Sequence, residues 1–515
     1  LDKLPDQNIN WPPAPYDKSY DDMKIWSAWY EGDTGTLASH YTKTQTIGGI
    51  SGALRRLWWG KPEPAGQESR KLHIPVAADI ARTSADLLFS EMPTFLVGEG
   101  TENATDGTVA KTSEAQRIVG EIMGSPQAAS QLLEAAELQA ALGGSFLRLS
   151  WDTEMFEYVQ LDAVDADGAI PHFRRGKLVS VVFWQNLRSL GKDRDMYRFL
   201  ERHFPGGVEY GLYKGTQKEI GHRVPLQEHP DAEWAASLVD KDSTQATGLM
   251  GLTAAYIPNV TPNRSYRNTP QLARLGRSDF DQLIPLFDSL DEAYTSMMRD
   301  LRLGKARAWV PQGTLTNNGP GKGASFDTDR EIYAEAPAGL GSMKDGKVIQ
   351  VDQPNIRHEE HHAVIEDLLA QILRTAGYSS ASFGDDPMIG QMTATEVNER
   401  REMSTRTRNK KIQHWKSALE PLATTALEAQ KLVYGNQGLA VDDVTVRFPT
   451  QTNVNAATLS QSISQLAAAG AISTERMVRM QNPNWSSDDV NREVAKIHFE
   501  RNIGEMPDPT KFTGE

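Results

Sequence analysis

The stretch from Ser278 to Lys411 constrains the fold most, because it reads as helix, small β-rich insert, helix, glycine-rich loop and long charged helix, in that order. Ser278-Asp279-Phe280-Asp281 carries a hydroxyl and, three residues on, a carboxylate, which together suit the orphan N–H groups of a helix start. Leu283, Leu286, Phe287, Leu290, Tyr294, Met297, Met298 and Leu301 recur in steps of three and four and so share one helical face. The spacing predicts a helix of roughly 25 residues, about 37 Å long. Pro285 falls in its second turn, where it either kinks the axis or marks the true start. Arg299, Arg302, Gly304, Lys305 and Arg307 close the segment, cations and a glycine that suit a helix C-terminus.

From Ala308 the period changes. Trp309-Val310-Pro311 and 348–351 read as short strands around a polar, glycine-rich 316–325, so a small separate lobe is expected. A second helix is expected from Arg357 to Gly377, burying Val364, Ile365, Leu368, Leu369, Ile372 and Leu373. Residues 379–392, with Gly384, Pro387 and Gly390, read as a loop. Thr393-Ala394-Thr395-Glu396 is a capping box that opens a third helix, laced by Glu396–Arg400 and Glu402–Arg406 pairs. Pro421 is expected to interrupt its pattern before Leu422, Leu427 and Leu432 resume it.

Upstream, 1–20 reads as an extended arm, 20–31 as a short amphipathic helix, 74–89 as a helix stopped at Pro93, and 128–142 as a helix ended by Gly143-Gly144. Residues 146–151, 158–161, 179–184, 197–203 and 208–213 are predicted strands of a mostly antiparallel sheet, with Gly206-Gly207 as a hairpin turn. Asp162, Asp165 and Asp167 form an Asp-rich turn that lacks the terminal Glu of a calcium loop. Pro258-Asn259 and Pro262-Asn263 read as a linker. Downstream, 444–448 is a strand that returns to the sheet. Helices follow around Leu459, Ile463 and Leu466, after Ser473 as N-cap, and from Ser487, with 507–515 a disordered tail.

Five stretches, Leu72–Phe95 (LHIPVAADIARTSADLLFSEMPTF), Gly143–Asp152 (GGSFLRLSWD), Glu201–Gly215 (ERHFPGGVEYGLYKG), Gly276–Lys305 and Ala376–Glu396, resemble in order and spacing the portal proteins of tailed bacteriophages, in particular those of long-tailed phages. The resemblance runs from about residue 20 to about residue 500. It implies an α+β, multi-domain portal-like fold with an α/β wing, a helical-hairpin stem, a small α/β clip and a helical crown. The implied parts are 1–277 as arm and wing, 278–307 and 357–378 as stem helices, 308–356 as clip, 379–393 as tunnel loop, 394–454 as long wing helix and return strand, 455–506 as crown and 507–515 as tail.

By the same resemblance the chain forms a homo-oligomeric ring, of twelve copies, at one capsid vertex of a virion assembled in the host cytoplasm. Double-stranded DNA passes through it, without sequence specificity, during packaging and ejection. The terminase large subunit and later head-completion or adaptor proteins dock on the clip, and major capsid and scaffolding proteins are further partners. No catalysis, cofactor or metal is implied. Ser382, Phe383, Asp385, Asp386, Met388 and Gln391 are the implied tunnel-loop contacts. Arg299, Arg302, Lys305 and Arg307 are candidates for phosphate contact, with pairing to carboxylates of a neighbouring subunit as the rival role.

The net charge of −14 argues against a duplex-gripping basic face. It suits a bore that repels the DNA threading it, or simply a solvated surface. Hydrophobic content of 39% and charged content of 24% are those of a soluble globular chain, with no apolar run of membrane-spanning length. Zero cysteines exclude disulfides and thiolate metal sites, and with no cationic-then-apolar stretch after Leu1 secretion is not expected.

Two rival functions follow from the residues. His358-Glu359-Glu360-His361-His362 satisfies H-E-x-x-H, the pattern of a zinc metallohydrolase with His358 and His362 as ligands and Glu359 as base. It lies at a helix start, where polar residues are ordinary. A tail or baseplate ring component without a DNA channel is the other rival. Gly319-Pro320-Gly321-Lys322-Gly323 lacks the spacing and the Ser or Thr of a phosphate loop, so a motor would be a partner.

Overall fold

The computed structural model describes residues 3–37, 72–98, 114–189, 196–303, 307–309, 316–317, 324–325, 350–352, 357–383, 394–449, 456–482 and 487–503. It mixes helix and strand in two units, one of Leu1–Phe383 with Met403–Phe448, the other of Gly384–Glu402 with Pro449–Glu515.

The first unit opens with α1 (Tyr16–Glu31), α2 (Val76–Phe89), strand β1 (Thr94–Val97), α3 (Glu114–Met123) and α4 (Pro126–Leu142). In α3, Ala115, Ile118, Val119, Ile122 and Met123 are all buried, the helical spacing that lays one apolar stripe on a core. Ser125 caps α4 by accepting from Ala128 N at 3.1 Å, with Pro126 at the first helical position. Gly143, at φ 86°, ends the helix.

Strands β2 (Gly144–Ser150) and β3 (Gln160–Asp165) follow, then β4 (Ala169–Arg174), β5 (Lys177–Leu187), β6 (Met196–Phe204), β7 (Gly207–Gly215) and β8 (His222–Val224). Helix α5 (Pro230–Ala236), β9 (Thr244–Ala246) and β10 (Ala254–Pro258) complete this part. The strands form two antiparallel sheets, β10-β2-β3 and β4-β5-β6-β7-β8, with β9 added to β7. The Gly206 turn was legible: Phe204 pairs with Gly207, and Gly206 has φ 93°. The Asp-rich turn was not, since Asp162 and Asp165 lie on β3 opposite Arg148 and Ser145.

Residues 3–15 are a packed strap. Leu4 and Trp11 are buried with Ile170, Val182, Leu200 and Tyr213, and Tyr213 donates its hydroxyl to Pro5 O at 2.7 Å. Near the other end, β15 (Val444–Arg447) pairs with β1 and not with the large sheet. The strand thus returns to the 1–277 part as expected, but to β1 rather than to the large sheet. Val446 and Phe95 meet in register and are both buried.

Between these parts run α6 (Ile284–Leu303), the short antiparallel pairs β11 (Arg307–Trp309) with β14 (Gln350–Asp352) and β12 (Thr316–Asn317) with β13 (Ala324–Ser325), α7 (His358–Ala376) and α8 (Ala394–Val433). Helix α6 starts six residues after Ser278, at the turn that holds Pro285, so the proline marks the true start. Helix α8 runs unbroken through Pro421. Pro421 and Ser417 are both exposed, so the carbonyl left without an N–H partner reaches water. Val364, expected in the core, is 52% exposed, while Ile365 takes the buried position one residue on.

In the second unit, α9 (Ala456–Ala468), α10 (Thr474–Gln481) and α11 (Ser487–Ile503) contribute Ile463, Val478 and Val490 to the buried interior. Ser473 caps α10, as its position predicts, by accepting from Arg476 N at 3.3 Å. Residues 507–515 lie outside the described residues.

Candidate functional site

The best-defined constellation is the root of the α6–α7 hairpin, where segments distant in sequence exchange buried polar contacts. It starts from the end of α4. A helix leaves its last carbonyls without N–H partners. Here Ser278 donates Oγ–H to Ala141 O at 2.5 Å, and Asp279 N donates to Ala140 O at 2.9 Å. Ser278 is therefore a cap, but of the C-terminus of α4 rather than the start of α6. A Cβ at Gly143 would stand 2.9 Å from Ser278 N, so the glycine permits this close approach as well as its positive φ.

The docked turn presents Asp279 to the interior. Its Oδ1 accepts from Asn259 Nδ2 at 2.7 Å. Its Oδ2 accepts from the Tyr378 hydroxyl at 2.7 Å and from Lys411 Nζ at 2.7 Å. Lys411 also donates to Ser84 Oγ at 2.7 Å and to Tyr378 Oη at 2.9 Å, which satisfies all three ammonium protons. The Lys411 and Asp279 side chains are 2% and 1% exposed, so this is a fully desolvated ion pair. Burial lowers the Lys411 ammonium from its ordinary value, with Asp279 opposing. Burial, reinforced by Asp279, pushes the Tyr378 hydroxyl well above its usual range. Asn259 and Asn263, read as linker residues, are buried here instead, and Asn263 Nδ2 donates to Gly276 O at 2.8 Å.

Helix α7 ends at Gly377, with φ 91° and its N–H bonded to Leu373 O and Arg374 O. The turn beyond it is tied to α8. Thr407 Oγ1 donates to Gly377 O at 2.6 Å, Ser379 N donates to Ser404 Oγ at 3.0 Å, and Ser382 Oγ donates to Ser404 Oγ at 2.8 Å. Phe383 lies edge-on to Tyr378, with ring centroids 6.3 Å apart. Of the implied tunnel-loop residues, Ser382 and Phe383 thus sit in this root. Asp385, Asp386, Met388 and Gln391 lie outside the described residues.

Further along the hairpin, Asp300 on α6 clasps α7. His361 Nε2 stands 2.9 Å and Arg357 Nη2 3.0 Å from its Oδ2. These bonds, His361 first, hold the Asp300 carboxyl below the usual carboxylate range. Arg299 lies exposed in the same turn of α6. Arg302 is on α6 and Arg307 on β11, but their side chains and all of Lys305 lie outside the described residues. His358 and His362 are exposed with ring centroids 5.9 Å apart, and His362 Nδ1 stands 3.3 Å from Glu366 Oε1. Among the described residues no group of three His, Cys, Asp or Glu stands where it could hold a metal ion. No described helix is long and apolar enough to cross a membrane.

Sequence reasoning missed Lys411, which reads as one more charge on a charged helix. The signal was its place on a stripe: Lys411, Trp415, Ala418, Leu419 and Leu422 recur at helical spacing, and all are buried.

A family model described as phage portal protein, SPP1 Gp6-like, matches residues 13–502. Among solved structures, the neck of a native gene transfer agent particle computed with C12 symmetry is 13% identical, covers 84% of this chain and 99% of its own, and has a TM-score of 0.38. The neck of an empty gene transfer agent particle computed with C6 symmetry is 13% identical, at 82% and 95% coverage and a TM-score of 0.38. The virion of a native gene transfer agent particle is 14% identical, at 84% and 99% coverage and a TM-score of 0.35. No curated protein matches.

Proposed function

This chain belongs to the SPP1 Gp6-like phage portal protein family, and from that premise we propose that it works as a ring at one capsid vertex, the channel through which DNA is packaged and ejected. The observation that supports this best is the partial cover of the hairpin. Leu283, Phe287, Leu290 and Ile365 are buried, but on the outer faces of the hairpin Met298 is 41% and Val364 52% exposed. An amphipathic helix stabilises a fold only when its stripe is covered, and neighbouring copies would cover this one.

In the proposed ring the α6–α7 hairpin is the stem and 308–356 the clip, where the terminase large subunit docks during filling and head-completion or adaptor proteins afterwards. Residues 379–393, anchored in the root by Ser379, Ser382 and Phe383, form the loop directed at the tunnel, 394–454 return to the wing of 1–277, and 455–506 form the crown. Arg299, Arg302, Lys305 and Arg307 contact either DNA phosphates or carboxylates of the adjacent copy. No step needs a cofactor, and the family is one of structural proteins. The zinc reading has no support from the exposed His358 and His362.

The test is Met298→Glu combined with Val364→Glu. Both positions are exposed in the single chain, so the fold should lose no more than about 0.5 kcal/mol each by denaturant titration. Buried carboxylates at a copy-to-copy contact should abolish ring formation, as read by native mass. Rings that form normally in the variant would remove this support.

A further inference from the structure

We propose that Lys411 pins a three-way joint that makes α8, the hairpin root and α2 move as one body. The observation behind it is a change of chemistry along one face of α8. Ser404, Thr407, Arg408 and Lys411 recur at steps of three and four, and each bonds a different partner. Ser404 and Thr407 hold the turn after α7, Arg408 Nε donates to Leu87 O of α2 at 2.6 Å, and Lys411 holds Asp279, Tyr378 and Ser84. Trp415 then donates to Gln139 Oε1 at 2.9 Å, and the next turns of the face are apolar, with Leu419, Leu422 and Ala426 buried, until Gln430 bonds Val159 N and Glu157 O at 3.0 Å each.

The two halves differ in what they specify. Apolar surfaces gain by burial whatever their rotation, so a stripe of Leu and Ala tolerates small slides and turns. Hydrogen bonds are directional, and a buried charge that loses one partner is costly to leave unpaired. A buried ion pair adds little net stability against an apolar replacement, whereas buried polar groups fix register in some proteins. Here one carboxylate serves three donors from three segments, Asn259, Tyr378 and Lys411, and the ammonium reaches a fourth at Ser84. Displacing the turn after Gly377 therefore either breaks this cluster or carries α8 and α2 with it.

The inference does not rest on the ring or on DNA, and the isolated full chain tests it. Hydrogen–deuterium exchange is measured on wild type, Tyr378→Phe and Lys411→Met. Tyr378→Phe removes one hydroxyl from a retained ring, so it keeps the test open even where Lys411→Met fails to fold. Exchange in 84–88, 284–290, 373–383 and 404–411 should accelerate together by about tenfold, the scale of one unsatisfied buried donor, while 145–149 and 161–165 keep their protection. Acceleration confined to the residues beside position 378, or spread equally over the strands, would overturn the joint. Ring formation, read separately by native mass, reports on the portal reading alone.

Discussion

At the scale of single residues, a second, half-buried charge cluster around the buried His203 makes a prediction of its own. Arg148 Nη1 meets Glu201 Oε2 at 2.5 Å, and Asp162 Oδ2 lies 3.4 Å from Arg148 Nη2. His203 Nδ1 stands 2.7 Å from Thr253 Oγ1, its Nε2 is 3.8 Å from Glu201 Oε2, and its ring meets Phe183 edge-on at 5.1 Å. Burial lowers the His203 pKa below its ordinary 6.5, against the opposing pull of Glu201. The unfolded chain then takes up this proton before the folded one does. The contribution of His203 is fully present above pH 6.5 and is lost as pH falls through the folded pKa. Each unit of depression is worth about 1.4 kcal/mol. Denaturant titrations at pH 8 and pH 5.5 should show wild type losing more stability on acidification than His203→Gln; equal losses would show that another group dominates. Neither cluster was legible in the sequence, because their partners lie 50 and 132 residues apart. An isolated Lys411 or His203 reads as an ordinary polar residue until its neighbours are known.

At the scale of elements, ends were easier to read than partners. Gly143, Gly377 and Ser473 mark helix ends by chemistry that acts within one turn, so their residue types suffice. Ser278 has the same chemistry, yet serves a helix that ended 136 residues earlier. Pairing of β1 with β15 was equally hidden, because nothing in TFLV or VTVR names the other. The strap at 3–15 was read as extended but not as packed, since its burial depends on the sheet beneath it. Gly377 allows a quantitative check. An alanine there would keep φ 91° and place Cβ 2.9 Å from Thr407 Oγ1, whereas at Gly435, φ 73°, a Cβ meets nothing within 4 Å. The left-handed conformation costs about 1–2 kcal/mol for a residue with Cβ. Gly377→Ala should therefore destabilise the chain by at least that, and by more than Gly435→Ala, in paired denaturant titrations. Equal losses would mean that Thr407 gives way freely and does not grip the α7 terminus.

At the scale of the whole molecule, the order of helix, β insert, helix and long helix was readable and is present, because periodicity and capping both report it. The large sheet was readable in part: β4, β8 and β9 were missed, being short or next to turn residues that hide them. What the hairpin packs against beyond its root could not be read from one chain, because a stripe shows that a face must be covered and not by what. The exposed Met298 and Val364 leave that question to other copies of the chain. In the proposed function those copies close into a ring. Native mass with negative-stain imaging of the full chain, alone and co-produced with the capsid proteins proposed to meet it, is the decisive measurement. Closed rings with an axial hole are the predicted result; a monodisperse monomer in both preparations would contradict it.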